Sequence, residues 1–228
     1  FLGMTKAGKS CVIDNEEDII LDYDYKKNIL YATSDNPLKI KNTYLGYDIE
    51  FNLQDFYIKF YKKSLKSMDA TESLYLGTTF YRETKKDIKV EKNRRKTYDE
   101  SVMNFFKVLA NNSWKEDNYA FFKGSYPANP EHFFSITQAG NSKKINLLYN
   151  DRKNVLLKNA EQKFYAEYNL LYKKKNQSKV IFYTNEFYVD KFGNNTNNEE
   201  IKFSGFLGTK RLGDLLPSNY LPQLNSKK

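Results

Sequence analysis

The stretch Tyr47-Asp48-Ile49-Glu50-Phe51-Asn52-Leu53, continuing through Gln54-Asp55 into Phe56-Tyr57-Ile58-Lys59-Phe60, decides the fold class. Tyr47, Ile49, Phe51 and Leu53 alternate with Asp48, Glu50 and Asn52, the period of a strand with one buried and one wet face. After Gln54-Asp55 the apolar phase moves to Phe56, Ile58 and Phe60. A slip of one residue reverses the faces, so a bulge or corner belongs at that point.

Working outward, the same alternation recurs in Ile145 to Tyr149, Phe164 to Tyr172, Val180 to Val189 and Ile201 to Phe206. Ile19, Leu21, Tyr23 and Tyr25 face one way and Asp22 and Asp24 the other. Asn28, just after Lys26-Lys27, marks a turn before Ile29 to Thr33, which makes a hairpin. Asp190-Lys-Phe-Gly-Asn-Asn reads as a turn feeding the last strand. One segment departs from the pattern. Thr97 with Glu100 forms a capping box, and Val102, Phe105, Phe106 and Leu109 fall at helical spacing, which predicts one central amphipathic helix over Tyr98 to Ala110. The polar stretch Lys85 to Lys96 reads as a solvated connection. The expected architecture is mainly β: antiparallel sheets, sandwich or roll-like, with that single helix. Its parts are an N-terminal β-rich region at 1–92, a connecting helix at 93–115 and a C-terminal β-rich region at 116–228, expected to form one integrated domain of a longer protein.

Composition bounds the chemistry. Among 228 residues there is one histidine, His132, and one cysteine, Cys11. Most proton shuttles near neutral pH and most transition-metal sites draw on these two side chains, so a zinc peptidase with two histidine ligands is excluded. No disulfide can form within the chain. With 40% apolar residues the chain can bury a sizeable core, and 19 Tyr and 17 Phe beside the single Trp114 suit strands with one buried face. The net charge of +9 comes from lysines spread along the sequence, the pattern of a solvated basic surface able to steer toward acidic partners. No signal peptide and no apolar run of about 18 residues occurs. The opening at Phe1 without methionine reads as that of an internal or processed piece, exported through a signal outside this sequence.

Several motifs suggest chemistry. Gly3-Met-Thr-Lys-Ala-Gly8-Lys9-Ser10 matches the phosphate-binding P-loop pattern. Its context argues against it: only Phe1-Leu2 precede it, Cys11-Val12-Ile13 favours a strand, and Ile19-Ile20-Leu21-Asp22, the apparent metal-binding partner, follows too closely for a full helix between. No nucleotide and no nucleic acid is expected as partner. His132 with Glu131 and Ser135 reads as a surface or structural group. The carboxylate pairs Asp22/Asp24 and Glu186/Asp190 read as turn and strand-edge solvation, and Gly193-Asn-Asn-Thr-Asn-Asn198 lacks the acidic alternation of a calcium loop. Cys11, between apolar neighbours, is expected to be a buried and inert thiol. No catalytic, cofactor-binding or metal-binding residue is assigned, and no cofactor is expected.

Four separated stretches carry a family resemblance. Phe1-Leu-Gly-Met-Thr with Cys11, Ile13 and Asn15; Pro37-Leu-x-Ile40-x-Asn42-x-x-Leu45-Gly46-Tyr47 followed by Leu53-x-Asp55-Phe56; Arg94-Arg95-Lys96-x-Tyr98 with Ser101 and Phe105; and Phe203-Ser-Gly205 with Arg211-x-Gly-Asp214-x-Leu-Pro217-x-x-Tyr220 resemble the region downstream of the carboxypeptidase-regulatory-like, transthyretin-like domain in cell-envelope proteins of Bacteroidota-type bacteria. The resemblance implies a cell-envelope location, periplasmic or outer-membrane associated, and no peptidase activity. The reading that joins residues and resemblance is a non-catalytic binding or scaffold protein, a subunit of an outer-membrane-associated assembly, with envelope or outer-membrane proteins and a surface glycan as partner classes. The alternatives are a carboxylate-dependent, glycan-directed hydrolase and a small outer-membrane β-barrel. Against the barrel stand the predicted helix and the charges interleaved at Asp48, Glu50 and Lys59.

Overall fold

The computed structural model describes residues 1–151 and 164–222. Strand residues outnumber helical ones, 42% against 21%, and they form three open antiparallel sheets, so the chain is mainly β and not a closed barrel. It divides into two compact units, Phe1–Arg94 and Arg95–Lys228. The division differs from the expected three parts in one integrated domain, because the boundary falls inside a helix and the central amphipathic helix belongs wholly to the second unit.

The first unit is a six-stranded sheet. In chain order it comprises the single turn α1 (Lys6–Lys9), β1 (Cys11–Ile13), β2 (Ile20–Asp24), β3 (Ile29–Thr33), β4 (Leu38–Asn42), β5 (Tyr47–Phe60), β6 (Ala70–Glu83) and the helix α2 (Ile88–Asp99), which crosses the unit boundary. β5 is the spine: β4 and β3 pair along one side of it and β6 runs its whole length on the other. The phase slip read from the sequence is a bulge. Leu53 pairs with Gly77 and Asp55 with Leu76, leaving Gln54 as the extra residue. It keeps the apolar face continuous, since the Phe1 ring packs at 5.7 Å on Phe51 before the bulge and at 5.8 Å on Phe56 after it. The hairpin of β2 and β3 forms as expected, with Asn28 in the left-handed conformation at its turn.

The stretch expected to be a solvated connection is α2, the longest helix among the described residues. It carries little apolar stripe, and a buried arginine anchors it instead. Arg94 donates from Nε to Leu45 O at 2.7 Å and from Nη2 to Lys85 O at 2.9 Å and Gly46 O at 3.1 Å. Its Nη1 pairs with Glu83 and, at 2.9 Å, with Glu91, while its guanidinium lies 4.0 Å from the centre of the Tyr47 ring. Asp87 caps the helix by accepting from Val90 N at 2.8 Å.

The second unit begins with α3 (Val102–Asn111) and continues with β7 (Tyr119–Lys123), β8 (Tyr126–Pro127), β9 (Phe134–Ala139), β10 (Ser142–Leu147), β11 (Ala166–Tyr172), β12 (Asn176–Phe182), β13 (Glu186–Asp190), β14 (Ile201–Ser204) and the single turn α4 (Gly205–Gly208). The amphipathic helix is thus shorter than the predicted span from Tyr98. Thr97 and Tyr98 lie in α2, the capping box does not form, and Ser101 caps α3 by accepting from Asn104 N at 3.1 Å. The predicted stripe is right, as Phe105, Phe106 and Leu109 are fully buried. Val180 to Val189 is not one strand: β12 and β13 lie in different sheets, β14-β12-β11-β7-β8 and β13-β10-β9. The strand expected over Ile145 to Tyr149 is Ser142–Leu147, leaving Leu148 and Tyr149 exposed beyond it. The two sheets and α3 share one aromatic core. Phe134 of one sheet meets Tyr168 of the other at 5.3 Å, and Phe106 meets Phe187 at 5.6 Å and Phe203 at 5.8 Å.

Candidate functional site: two surface clefts

In the second unit, the period of two sorts side chains between core and solvent. Ala166, Tyr168, Leu170 and Tyr172 of β11 are buried, as are Ser178, Val180 and Phe182 of β12, so Glu167, Asn169 and Leu171 and then Gln177, Lys179 and Ile181 point outward. Register aligns them across strands. Phe122 pairs with Asn169, Asn169 with Lys179 and Lys179 with Ser204, one outward row spanning four strands, or about 14 Å at the usual strand spacing. Leu171, beside Gln177, belongs to the next row. These residues line a half-open cleft of about 490 Å³. One side is closed by Gly205, whose left-handed φ of +68° and close approach to the Gln177 carbonyl leave no room for a Cβ.

Polar groups in and beside the row are held in place. The Asn169 amide donates to Gly124 O at 2.7 Å. Lys179 Nζ lies 3.2 Å from both Glu167 carboxylate oxygens, and the Tyr165 hydroxyl donates to Glu167 at 2.6 Å. Burial alone would raise the Glu167 pKa, but the Tyr165 hydrogen bond and Lys179 outweigh it and hold the carboxyl below its ordinary range. Glu167 is therefore an ionised partner of Lys179 and not a stored proton.

A second cleft, of about 470 Å³, lies in the first unit where Leu21, Tyr23 and Tyr25 of the hairpin meet Leu30 and the connection between β5 and β6 at Lys63 to Leu65. The apolar phase predicted for Leu21, Tyr23 and Tyr25 is correct, yet the stripe is not covered: Leu21 is 63% and Tyr25 66% exposed.

The residues singled out in the sequence are dispersed. The P-loop-like segment folds as the single turn α1, in which Gly8 N donates to Thr5 Oγ1 at 3.0 Å, Lys9 N to Thr5 O and Ser10 N to Ala7 O. Amides that a phosphate would need are thus taken by the chain, and a Cβ on Gly8 would meet Leu2 O and Gly3 O at 2.5 Å, so this glycine serves close packing. Cys11 is half-buried, not buried as expected: β1 is an edge strand, and the thiol lies 3.4 Å from Ala7 O. His132 is exposed at the end of a 3-10 turn, and Glu131 accepts from Asn112 at 2.7 Å. Asp24 accepts from Lys26 N and Lys27 N in the hairpin turn. Glu186 pairs with Lys144 at 2.7 Å, and Asp190 accepts from Phe192 N and Asn194 N at the start of the Gly193 to Asn198 loop. Among the described residues no group of three or more His, Cys, Asp or Glu gathers at metal-binding distance.

The residues that carry the family resemblance are placed for structure. Arg94 anchors α2, Ser101 caps α3, Phe105 is core, and buried Asp214 accepts from Arg211 N at 3.1 Å. Compared with protein-family models, curated proteins and solved structures, the chain shows no match.

Proposed function

We propose that the chain is a non-catalytic binding or scaffold component of a bacterial cell envelope, a subunit of an outer-membrane-associated assembly, and that the cleft on the five-stranded sheet takes a glycan. The outward row Phe122, Asn169, Lys179 and Ser204 carries this reading. A sugar ring has an apolar face and a rim of hydroxyls. An aromatic ring beside an amide, an ammonium and a hydroxyl offers surface to the first and hydrogen bonds to the second. The location and the assembly rest on the resemblance.

The charge distribution favours binding over hydrolysis. Glycosidase chemistry uses two carboxyl groups flanking the scissile bond. Among the described residues Lys179 is the only ionisable side chain lining this cleft, and each of three other clefts holds a single carboxylate, Asp22, Glu131 or Asp190. Calorimetric titration with envelope polysaccharide fragments tests the proposal. Saturable binding is expected, and Phe122→Ala should weaken it about tenfold, the equivalent of about 1.4 kcal/mol. Glycan cleavage that Glu167→Gln abolishes without unfolding the protein would instead establish the hydrolase.

A further inference from the structure

The apolar face of the first unit's sheet extends past its own cover. Phe1 shields Phe51 and Phe56, and Arg94 lies over Tyr47. The same face continues through Leu30, paired with Ile58, and through Tyr23, paired with Leu30, toward Leu21 and Tyr25, where it opens to solvent. The neighbouring connection from Tyr61 to Asp69 adds Leu65 and Met68, 72% and 82% exposed, where turn chemistry alone would favour polar residues.

This apolar tip is ringed by charge of one dominant sign. Lys26 and Lys27 stand on the hairpin turn and Lys62, Lys63 and Lys66 on the connection. Asp22, exposed in the cleft lining, adds one opposite charge, while Asp24 and Asp69 are engaged within the fold. Asp24 accepts the turn amides, and buried Asp69 accepts from Ser64 Oγ at 2.5 Å and faces Lys62 at 3.6 Å. Two lysines lie over aromatic faces, Lys63 at 4.6 Å from the Tyr25 ring centre and Lys62 at 4.9 Å from that of Tyr61. Ser64 N donates to the Tyr23 hydroxyl at 3.3 Å, tying the connection to the hairpin.

From this arrangement we infer that the tip of the first unit docks onto an anionic lipid surface. Leu65, Met68 and Tyr25 enter the boundary between headgroups and acyl chains, and the lysines remain at the level of the phosphates. Aromatic rings with a polar end and lysines with apolar stems are the side chains that settle at that boundary. Charge and insertion together give an attachment that neither gives alone. Charge complementarity selects the anionic bilayer. This surface lies entirely in the first unit and stands independently of the glycan cleft.

Sedimentation of the full chain with phosphatidylcholine vesicles, with and without phosphatidylglycerol, tests the inference. Binding is expected only with phosphatidylglycerol, weakening as salt rises. The double variant Leu65→Ser/Met68→Ser and the double variant Lys62→Glu/Lys63→Glu should each reduce it at least tenfold, while Phe122→Ala leaves it unchanged. Both alter exposed side chains, and circular dichroism checks their folding. Met68→Trp supplies an independent reading: brominated acyl chains should quench the new fluorophore, whereas buried Trp114 is unaffected. No partition into phosphatidylglycerol vesicles, equal partition into both kinds, or an unquenched Trp at position 68 would overturn the inference.

Discussion

The two units solve the same problem, a sheet with one apolar face, in different ways. The second unit lays a sheet against another sheet and a helix over a large aromatic and aliphatic cluster, with Asn104, Asp151, Ser178 and Asp214 as buried polar side chains among the described residues. The first unit has a single sheet, and part of its cover is anchored by Arg94, a buried cation bonded to three carbonyl oxygens and two carboxylates. The contrast teaches where specificity lies in each. Apolar packing tolerates exchange of similar volumes, whereas a buried guanidinium demands every one of its partners.

Three measurements would break or sharpen that contrast. Phe105→Ala should cost the second unit roughly 3 to 5 kcal/mol, since its ring is fully buried against Phe106, Trp114, Tyr119 and Phe203. Denaturant titration followed by the fluorescence of Trp114 reads this directly, and a change near zero would remove α3 from the core. Arg94→Met should cost the first unit about 2 to 4 kcal/mol by removing the donor to the Leu45 and Lys85 carbonyls and the cation facing Glu83 and Glu91; Gly46 O keeps its bonds from Thr84 N and Lys85 N. Hydrogen exchange should then show loss of protection in β5 and β6 with β11 and β12 unchanged; equal loss in both units would mean that they share one stability.

The smallest effect is a difference in acid response. The Ser64 hydroxyl holds Asp69 below its ordinary pKa, and turn amides from Lys27 and Lys26 do the same for Asp24. A carboxyl depressed in the folded state contributes stability that is present above its unfolded pKa, about 3.9, and lost as pH falls further through the folded value. Burial raises Asp99, with Asp117 and Glu100 adding to the shift. Its sign is opposite: the folded state holds the proton more tightly, so stability is gained as pH falls through the raised value toward about 3.9. Glu167→Gln removes the loss that the depressed Glu167 brings to the second unit below about 4.3. Thermal melts of that variant from neutral pH downward should therefore show the second unit gaining stability through Asp99 before the first begins to lose it. Asp99→Asn should flatten the gain and Asp69→Asn the loss.

The β5 spine was legible in the sequence down to its bulge, because the apolar phase slips by one residue at Gln54. The same signal lies between Val180-x-Phe182 and Phe187-x-Val189, where the even phase gives way to the odd and the chain passes from one sheet to another. β6 was missed because it is a mostly exposed edge with no clean alternation. α2 was missed for a different reason. Period-based reading finds helices through apolar stripes, and this one is anchored by a single cation whose carbonyl partners lie at Leu45, Gly46 and Lys85. The hairpin stripe was read in the correct phase, but whether a stripe is covered is a property of the whole fold. The row Phe122, Asn169, Lys179 and Ser204 joins four strands through register alone, which no local pattern announces.

The bulge at Gln54 makes β5 a strand with a spelling rule. Its two halves keep Tyr47, Ile49, Phe51, Phe56 and Phe60 on one side because the bulge absorbs the one extra residue between them. Deleting Gln54 would leave Leu53, Asp55 and Phe56 opposite Gly77, Leu76 and Tyr75 as a regular ladder with Phe56 and Phe60 still inward, whereas one further residue inserted there without a second bulge would turn them toward water. Descendants of this chain can exchange many of these side chains and can shed the letter at Gln54, but they cannot add another there without a compensating bulge or deletion.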